Sequence, residues 1–331
     1  MRRYNVAVVG VGAVGEEMLR VLCQRNFPIS QLRVFARSSR EIVVDNHKYS
    51  VHKISPDNFE DIDIALFAGT EGEKGAAVTY APEAVKRGAV VIDNGADFRL
   101  KEGVPLVVPE VNPQDVKKHK GIIANPNCST IQFVVALWPI YQAAGIKRVI
   151  ACSYQAVSGA GHGGVKQLEN EYKEEGLLAR AFTYRISKNI IPQIGGFGKA
   201  DYTSEEWKMV HETHKIMHDK KIKISATCVR VPVITGHCEA VYLETKKNIT
   251  VKRVRDILSK SLGVKVIDQP EQSKYPLPID VAGTDEVFIG RIRKDPFVKN
   301  GLWLWIVADN LRKGAALNAV QIAETLCATS S

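Results

Sequence analysis

Residues 10, 12 and 15 are glycines, and they follow directly on the apolar run at residues 5–9. No other feature constrains the fold as tightly. A G-x-G-x-x-G turn between a strand and a helix lets backbone approach a pyrophosphate, with the helix N-terminus aimed at the anion. Gly10, Val11, Gly12, Ala13, Val14 and Gly15 are therefore candidate dinucleotide-binding residues. The following sequence keeps the same rhythm. Residues 5–9, 32–35, 62–67 and 90–93 are short, near-continuously apolar runs, as buried parallel strands require. Helical patterns at 16–25 and 75–87 lie between them. This alternation predicts an α/β, Rossmann-type doubly wound sheet in the N-terminal part.

The pattern changes after residue 128. An apolar helix is expected at 129–144, and further helices at 165–175, 205–218 and 251–261. Strands are expected at 149–154, 226–231, 239–243, 286–292 and 302–307. Helices grouped between strands point to an α+β second domain with a mixed or antiparallel sheet. Residues 313–325 read as a clean amphipathic helix. A length of 331 residues accommodates two such domains.

Composition removes several alternatives. Forty-five per cent hydrophobic and 24% charged residues describe a globular chain, not a fibrous or disordered one. The net charge of +9 is spread along the sequence, with no basic face bearing interleaved aromatics, so no nucleic-acid partner is expected. Residues 121–146 carry no charge, but Asn125, Pro126, Asn127, Gln132, Pro139 and Gln142 interrupt them. That segment reads as a loop and a buried helix, and no membrane partner is expected. Six cysteines without a C-x-x-C pair favour free thiols in a reducing, cytoplasmic setting. Cys23, Cys152 and Cys327 read as small buried hydrophobes.

The end of the second strand addresses the choice of dinucleotide. A site for NAD places Asp or Glu there, for the ribose hydroxyl. Here Arg37, Ser38, Ser39 and Arg40 follow Phe35 and Ala36, which suits a 2′-phosphate and therefore NADP. Either arginine can serve. Cys128 falls at the opening of the apolar helix, after Asn125, Pro126 and Asn127. A thiol in the first helical turn meets the positive end of the dipole, which favours the thiolate. A nucleophile of this kind needs a proton partner. His237, in a loop expected between two strands, is one of eight histidines. His211, His214 and His218 share a helical face but have no second cluster near them, so they read as a polar face and no metal is expected.

Taken together, these runs identify a resemblance. The G-x-G-x-x-G turn, Asn127 to Thr130, Tyr154 to Gly161, Glu205 to Met209, Arg230 to His237 and Asp309 to Ala316 resemble, in order and spacing, the bacterial type of aspartate-semialdehyde dehydrogenase. The resemblance implies an oxidoreductase that uses NADPH to convert aspartyl 4-phosphate into aspartate 4-semialdehyde and phosphate, on the route to lysine (through diaminopimelate), methionine and threonine. It implies Cys128 as the nucleophile that forms an acyl-thioester, His237 as general acid/base and Gln155 as the residue that orients the substrate. Substrate contacts fall to Arg99, Asn127, Glu205, Lys208 and Arg230: Arg230 clamps a carboxylate, Glu205 holds the amino group, and Arg99 with Lys208 binds phosphate. Ser158 and Gly159 become the loop at the nicotinamide, and Asn310 a late cofactor contact. The implied organisation is an NADP-binding domain at 1–127 completed by 310–331, and a catalytic and dimerisation domain at 128–309, in a homodimer or homotetramer. Residues 94–99 are similar to the related N-acetyl-glutamyl-phosphate reductases, which leaves that activity as the alternative enzyme reading. An NADP-sensing protein without catalysis is the non-enzymatic one.

Overall fold

The computed structural model describes residues 2–69, 75–174 and 181–329. Residue 1, the expected helix end at residue 175 and the last two residues of the expected C-terminal segment lie outside them. The chain gathers into two compact units. One is formed by the chain up to Asn127 and from Ala315 onward, the other by Cys128–Gly314.

The first unit contains β1 (Tyr4–Val9), α1 (Ala13–Gln24), β2 (Ile29–Ala36), β3 (Arg40–Val44), β4 (His47–Lys53), β5 (Ile64–Phe67), α2 (Ala76–Lys86), β6 (Val90–Asp93) and β7 (Ile122–Ala124). The sheet order is β3-β4-β2-β1-β5-β6-β7. Every neighbouring pair is parallel except β3 with β4. The order reverses at β1, so the chain leaves the carboxyl ends of β1 and its neighbours in opposite directions, where open α/β sheets bind ligands. Val6, Val8, Leu66, Ile92 and Ile123 pack with Met18 and Leu22 of α1 and with the C-terminal helix.

Several expectations need correction here. The β3–β4 hairpin is absent from the sequence reading; it turns on Asp45 and Asn46, both at positive φ (47° and 66°), as a two-residue hairpin loop demands. The strand expected at 62–67 begins at Ile64, and the Asp63 carboxylate just before it accepts from the Asn5 amide (2.8 Å). The C-terminal helix runs Leu317–Thr329, after a π turn at Arg312–Ala316. It is not cleanly amphipathic: Leu317, Asn318, Ala319, Val320, Ile322 and Ala323 are all buried. It packs on α1 and on the turns around Val107 and Asp115, with Arg25 gripping Glu324 through two 2.7 Å bonds. Cys23 is exposed, since α1 turns Met18, Leu19, Val21 and Leu22 inward instead.

The second unit contains α3 (Cys128–Ala144), β8 (Ile146–Gln155), α4 (Gly161–Lys173), α5 (Ser204–Ile216), β9 (Lys223–Arg230), β10 (His237–Thr245), α6 (Val251–Ser259), β11 (Val264–Val266), β12 (Val287–Lys294) and β13 (Gly301–Ala308). Its mixed sheet has the order β11-β12-β13-β10-β8-β9. β8/β9 and β11/β12 are parallel pairs and the others antiparallel. α3 buries Ile131, Phe133, Val134, Leu137 and Ile140 over the sheet and against α5 and α6. A helix apolar on all sides needs such cover. No described helix is long and apolar enough to cross a membrane. His237 is not in a loop: it opens β10 and pairs with Ala308 of β13.

Candidate active site

In the first unit the candidate residues gather at the carboxyl ends of the parallel strands. Gly10 sits at φ +97°, where a side chain is strained. Its amide donates to the Phe35 carbonyl (2.8 Å), tying the turn to β2. A Cβ on Gly15 would lie 1.9 Å from the Gly10 carbonyl oxygen, so the helix can approach the turn only with glycine there. At Gly12 a Cβ would meet nothing within 4 Å. Gly12 is also the N-cap of α1 and supplies no side-chain cap. A turn with free approach and uncapped helix amides fits a pyrophosphate.

Arg37, Ser38, Ser39 and Arg40 are exposed after β2. Ser39 Oγ accepts from the Lys53 amide (2.9 Å), and the Arg40 guanidinium folds back on Ser38 (3.4 Å). A cluster of cations and hydroxyls at this strand end fits a phosphate. Arg99, after β6, is buried and donates to the carbonyls of Asn125 (3.0 Å) and Asn94 (2.8 Å). Asn127, after β7, is also buried.

The second unit brings the other candidates together. Cys128 is the first residue of α3 and is half-buried. A Cβ on Gly314 would come within 2.9 Å of the Cys128 Cβ, so that chain segment lies directly against the nucleophile candidate. Asp309 holds the segment there. Its carboxylate accepts from the amides of Leu311 (2.8 Å), Arg312 (2.9 Å) and Gly283 (2.7 Å), and its carbonyl from Gly314 (2.9 Å).

Arg230 ends β9 in register with Gln155 at the end of β8. Its buried guanidinium donates to the Ala156 carbonyl (2.6 Å) and lies over the Phe182 ring, 5.6 Å from the centroid. Burial pushes its pKa down, while the charges of Glu205 and Cys128 oppose that shift. Gln155 donates to Ser153 Oγ and Glu205 Oε1, both at 3.2 Å. Glu205 stands in the first turn of α5, and Lys208 Nζ lies 3.5 Å from it. A capping box fixes this helix start. The Glu206 carboxylate accepts from the Thr203 amide (2.7 Å), and its second oxygen from the Cys228 amide (3.1 Å) on β9.

His237 is fully buried. Its Nδ1 accepts from the Ala156 amide (3.1 Å), and Nε2 has no hydrogen-bond partner among the described residues. Burial first, and the Arg230 charge second, push its pKa well below the ordinary histidine value. A Cβ on Gly159 would fall 2.7 Å from Arg230 Nη1 and 3.2 Å from His237 Nε2, so the two side chains share one glycine face. Asn310 braces this turn: it donates to Ser158 Oγ (2.9 Å) and accepts from the Gly236 amide (2.9 Å).

Sequence reasoning missed Ala156, Phe182, Asp309 and Glu239. The first acts through its backbone, which residue identity does not reveal. Glu239 lies two residues beyond His237 on β10, fully buried, with no hydrogen-bond partner for either carboxyl oxygen among the described residues; burial holds its pKa well above the ordinary carboxylate value, with Gln132 opposing. The buried thiols of Cys228 and Cys238 are held protonated by burial, the latter pushed up to about 12. His211 stacks on Trp207 (5.0 Å), and His214 Nε2 lies 2.8 Å from the Ile222 carbonyl. No group of metal-ligating side chains forms among the described residues.

Comparison with known proteins matches both units. A family model described as "Semialdehyde dehydrogenase, NAD binding domain" covers residues 5–119, and "Semialdehyde dehydrogenase, dimerisation domain" covers 137–313. An aspartate-semialdehyde dehydrogenase of Aquifex aeolicus is 52% identical over 98% of both chains. The crystal structure of aspartate semialdehyde dehydrogenase II of Vibrio cholerae, complexed with ASA, superposes with a TM-score of 0.93 at 43% identity, covering 99% of each chain. A structure of the Candida albicans enzyme with NADP gives 0.74 at 25% identity, covering 99% of each.

Proposed function

The chain belongs to the aspartate-semialdehyde dehydrogenase family, and from that premise we propose that it converts aspartyl 4-phosphate into aspartate 4-semialdehyde and phosphate with NADPH. The observation that carries this reading is the convergence of Gln155, Glu205, Arg230 and His237, all buried, within the unit that begins at Cys128. A desolvated guanidinium suits a carboxylate. A desolvated carboxylate at Glu205, already linked to Gln155, suits an ammonium group. The substrate of the N-acetyl-glutamyl reading has no ammonium to offer, which favours the free amino acid.

Cys128 is the nucleophile. The N-terminus of α3 and the nearby Arg230 charge favour its thiolate. The thiolate attacks the acyl carbon and the carbon–oxygen bond to phosphate breaks; Arg99 and Lys208 are the cations assigned to that phosphate. Gln155 and Asn127 orient the acyl group, and His237 Nε2 serves the reacting carbonyl oxygen. Gly10 to Gly15 hold the pyrophosphate of NADP, Arg37 to Arg40 its 2′-phosphate, and Ser158 and Gly159 border the nicotinamide. When bound, NADPH supplies the hydride that reduces the thioester.

The family model's dimerisation label on residues 137–313 makes the second unit the proposed contact in a homodimer or homotetramer. Free thiols suit the cytoplasm. The test is an assay in the oxidative direction. Aspartate 4-semialdehyde should reduce NADP only when phosphate is present, and N-acetyl-glutamate semialdehyde should not. Reduction with the acetylated aldehyde alone would overturn the substrate assignment. No reduction with either would overturn the activity.

A further inference from the structure

We infer that Phe182 is a positioning residue for Arg230: its ring covers the guanidinium and holds the cationic fork in the orientation that meets the substrate carboxylate. The inference rests on the proposed assignment of Arg230 to that carboxylate and adds the residue that aims it.

An arginine side chain has many rotamers, and a clamp works only when one of them is fixed. The Ala156 carbonyl fixes one N–H group of Arg230 (2.6 Å). The Phe182 ring, its centroid 5.6 Å from the guanidinium carbon, adds a constraint of a different kind. An aromatic face attracts a cation through its quadrupole, and more strongly where the cation is desolvated, as Arg230 is. The N–H groups of a guanidinium lie in its plane. A ring over that plane holds the cation without occupying a donor.

Phe182 is itself held. Gln167 Oε1 accepts from the amides of Ala181 (2.7 Å) and Phe182 (3.0 Å). Gln167 Nε2 donates to Glu171 Oε1 (2.7 Å), and Glu171 Oε2 accepts from the amides of Ile186 (2.8 Å) and Ser187 (2.7 Å). A segment outside helix and strand is thereby fastened to two buried side chains one turn apart on α4. The ring tip rests on the same helix. A Cβ on Gly164 would lie 3.1 Å from Phe182 Cζ and 2.3 Å from the Val157 carbonyl oxygen, so only glycine allows this approach. Further along, Ile191 and Arg230 exchange backbone hydrogen bonds in both directions (3.0 and 2.8 Å). Residues 182–191 thus fix the backbone of Arg230 through Ile191 and its charged end through Phe182. Phe182 is half-buried and only borders the apolar cluster of Val157, Leu168, Ile186 and Ile191. Leucine can therefore replace it without a large cavity.

Two measurements test this. The first needs no turnover. Nitrogen–proton NMR of the protein labelled in arginine should place the Arg230 side-chain N–H protons upfield, under the ring current of Phe182, the signal being identified by its loss in Arg230→Lys. In Phe182→Leu it should return toward the ordinary arginine position. A signal that stays in place would contradict the stack.

The second measurement uses aspartate 4-semialdehyde, phosphate and NADP. Phe182→Leu should raise KM for the aldehyde about 5–20-fold, the range of a desolvated cation–aromatic contact, with kcat and the KM values for phosphate and NADP within about twofold. The α-carboxamide of the same aldehyde offers Arg230 no anion. Its kcat/KM, low from the start, should be equal in the native protein and the variant. Equal losses with acid and amide would show a general structural defect and sink the inference, as would an unchanged KM for the acid. Gln167→Met releases the Ala181 and Phe182 amides but leaves the ring, and should raise the same KM by a smaller factor. Combined with Phe182→Leu it should add no more than about twofold; multiplied effects would mean that the two side chains act separately. A native protein that turns over neither aldehyde refutes the proposed activity, whereas the position of the Arg230 signal judges the role of Phe182 by itself.

Discussion

The two candidate regions are built by opposite means. The dinucleotide region of the first unit is made of backbone and exposed side chains: three glycines, one helix start, and Arg37 to Arg40 on the surface. The chemical region of the second unit is made of side chains from α3, α5, β8, β9 and β10, buried apart from the half-buried Cys128, with His237 and Arg230 tied to the Ala156 backbone and Gln155 to Glu205. The first tolerates change wherever it leaves the turn intact. The second has little slack, because removing one buried partner strands another.

That contrast can be broken by substitutions graded in size. Arg230→Lys keeps the charge but loses the planar fork and the bond to Ala156. It should lower kcat/KM by roughly 10²–10³-fold; a loss below about tenfold would show that the buried site is more forgiving than its geometry implies. Within the glycine turn, Gly15→Ala forces a Cβ against the Gly10 carbonyl, at 1.9 Å. It should cost about 1–3 kcal/mol of stability, read as a lower Tm. Gly12→Ala, with nothing within 4 Å, should leave Tm unchanged and weaken NADP binding instead. Equal Tm losses would contradict the separate roles given to the two glycines.

Glu239 and His237 lead to a pH prediction. Burial keeps both neutral, so the folded carboxyl stays protonated above the unfolded carboxylate range, and the folded imidazole stays unprotonated below the unfolded histidine value. Stability therefore falls with rising pH through Glu239, and falls with dropping pH below about 6.5 through His237. From about 4.5 to 6.5 the two slopes oppose each other. Above that window Glu239 acts alone of the pair, at up to about 1.4 kcal/mol per pH unit. Glu239→Gln should flatten the alkaline fall in denaturation midpoint; an unchanged slope would mean that the carboxyl ionises in the folded state. The smallest effect is expected at the surface. Arg37→Ala and Arg40→Ala should each weaken NADP about 3–10-fold and leave NAD binding unchanged, and the larger loss identifies the arginine that holds the 2′-phosphate.

The same contrast explains what the sequence revealed. A glycine turn and an apolar strand rhythm are local patterns, so the doubly wound sheet and its Gly10–Gly15 turn are legible without tertiary information. The β3–β4 hairpin also had a local sign, Asp45-Asn46 between two β-rich runs, but His47 to Lys53 mix charge and polarity enough to hide a strand. In the second unit, a place at a helix start pointed to Cys128, and only the resemblance pointed to Arg230 and Glu205; their partners are set by register. Gln155 meets Arg230 because β8 and β9 pair in parallel, and no spacing encodes that. The bonds by which Asn310 fastens Ser158 and Gly236 likewise depend on packing that spacing does not encode. Ala156 contributes only a peptide group and leaves no trace in its side chain.

The central claim is that Cys128 carries the acyl group. The most direct measurement is intact-mass and peptide mapping of the protein quenched after mixing with aspartyl 4-phosphate in the absence of reduced dinucleotide. The account predicts one aspartyl adduct, on the peptide containing Cys128 and absent from Cys128→Ser. An adduct on another cysteine, or none in a protein that turns over once NADPH is supplied, would contradict it.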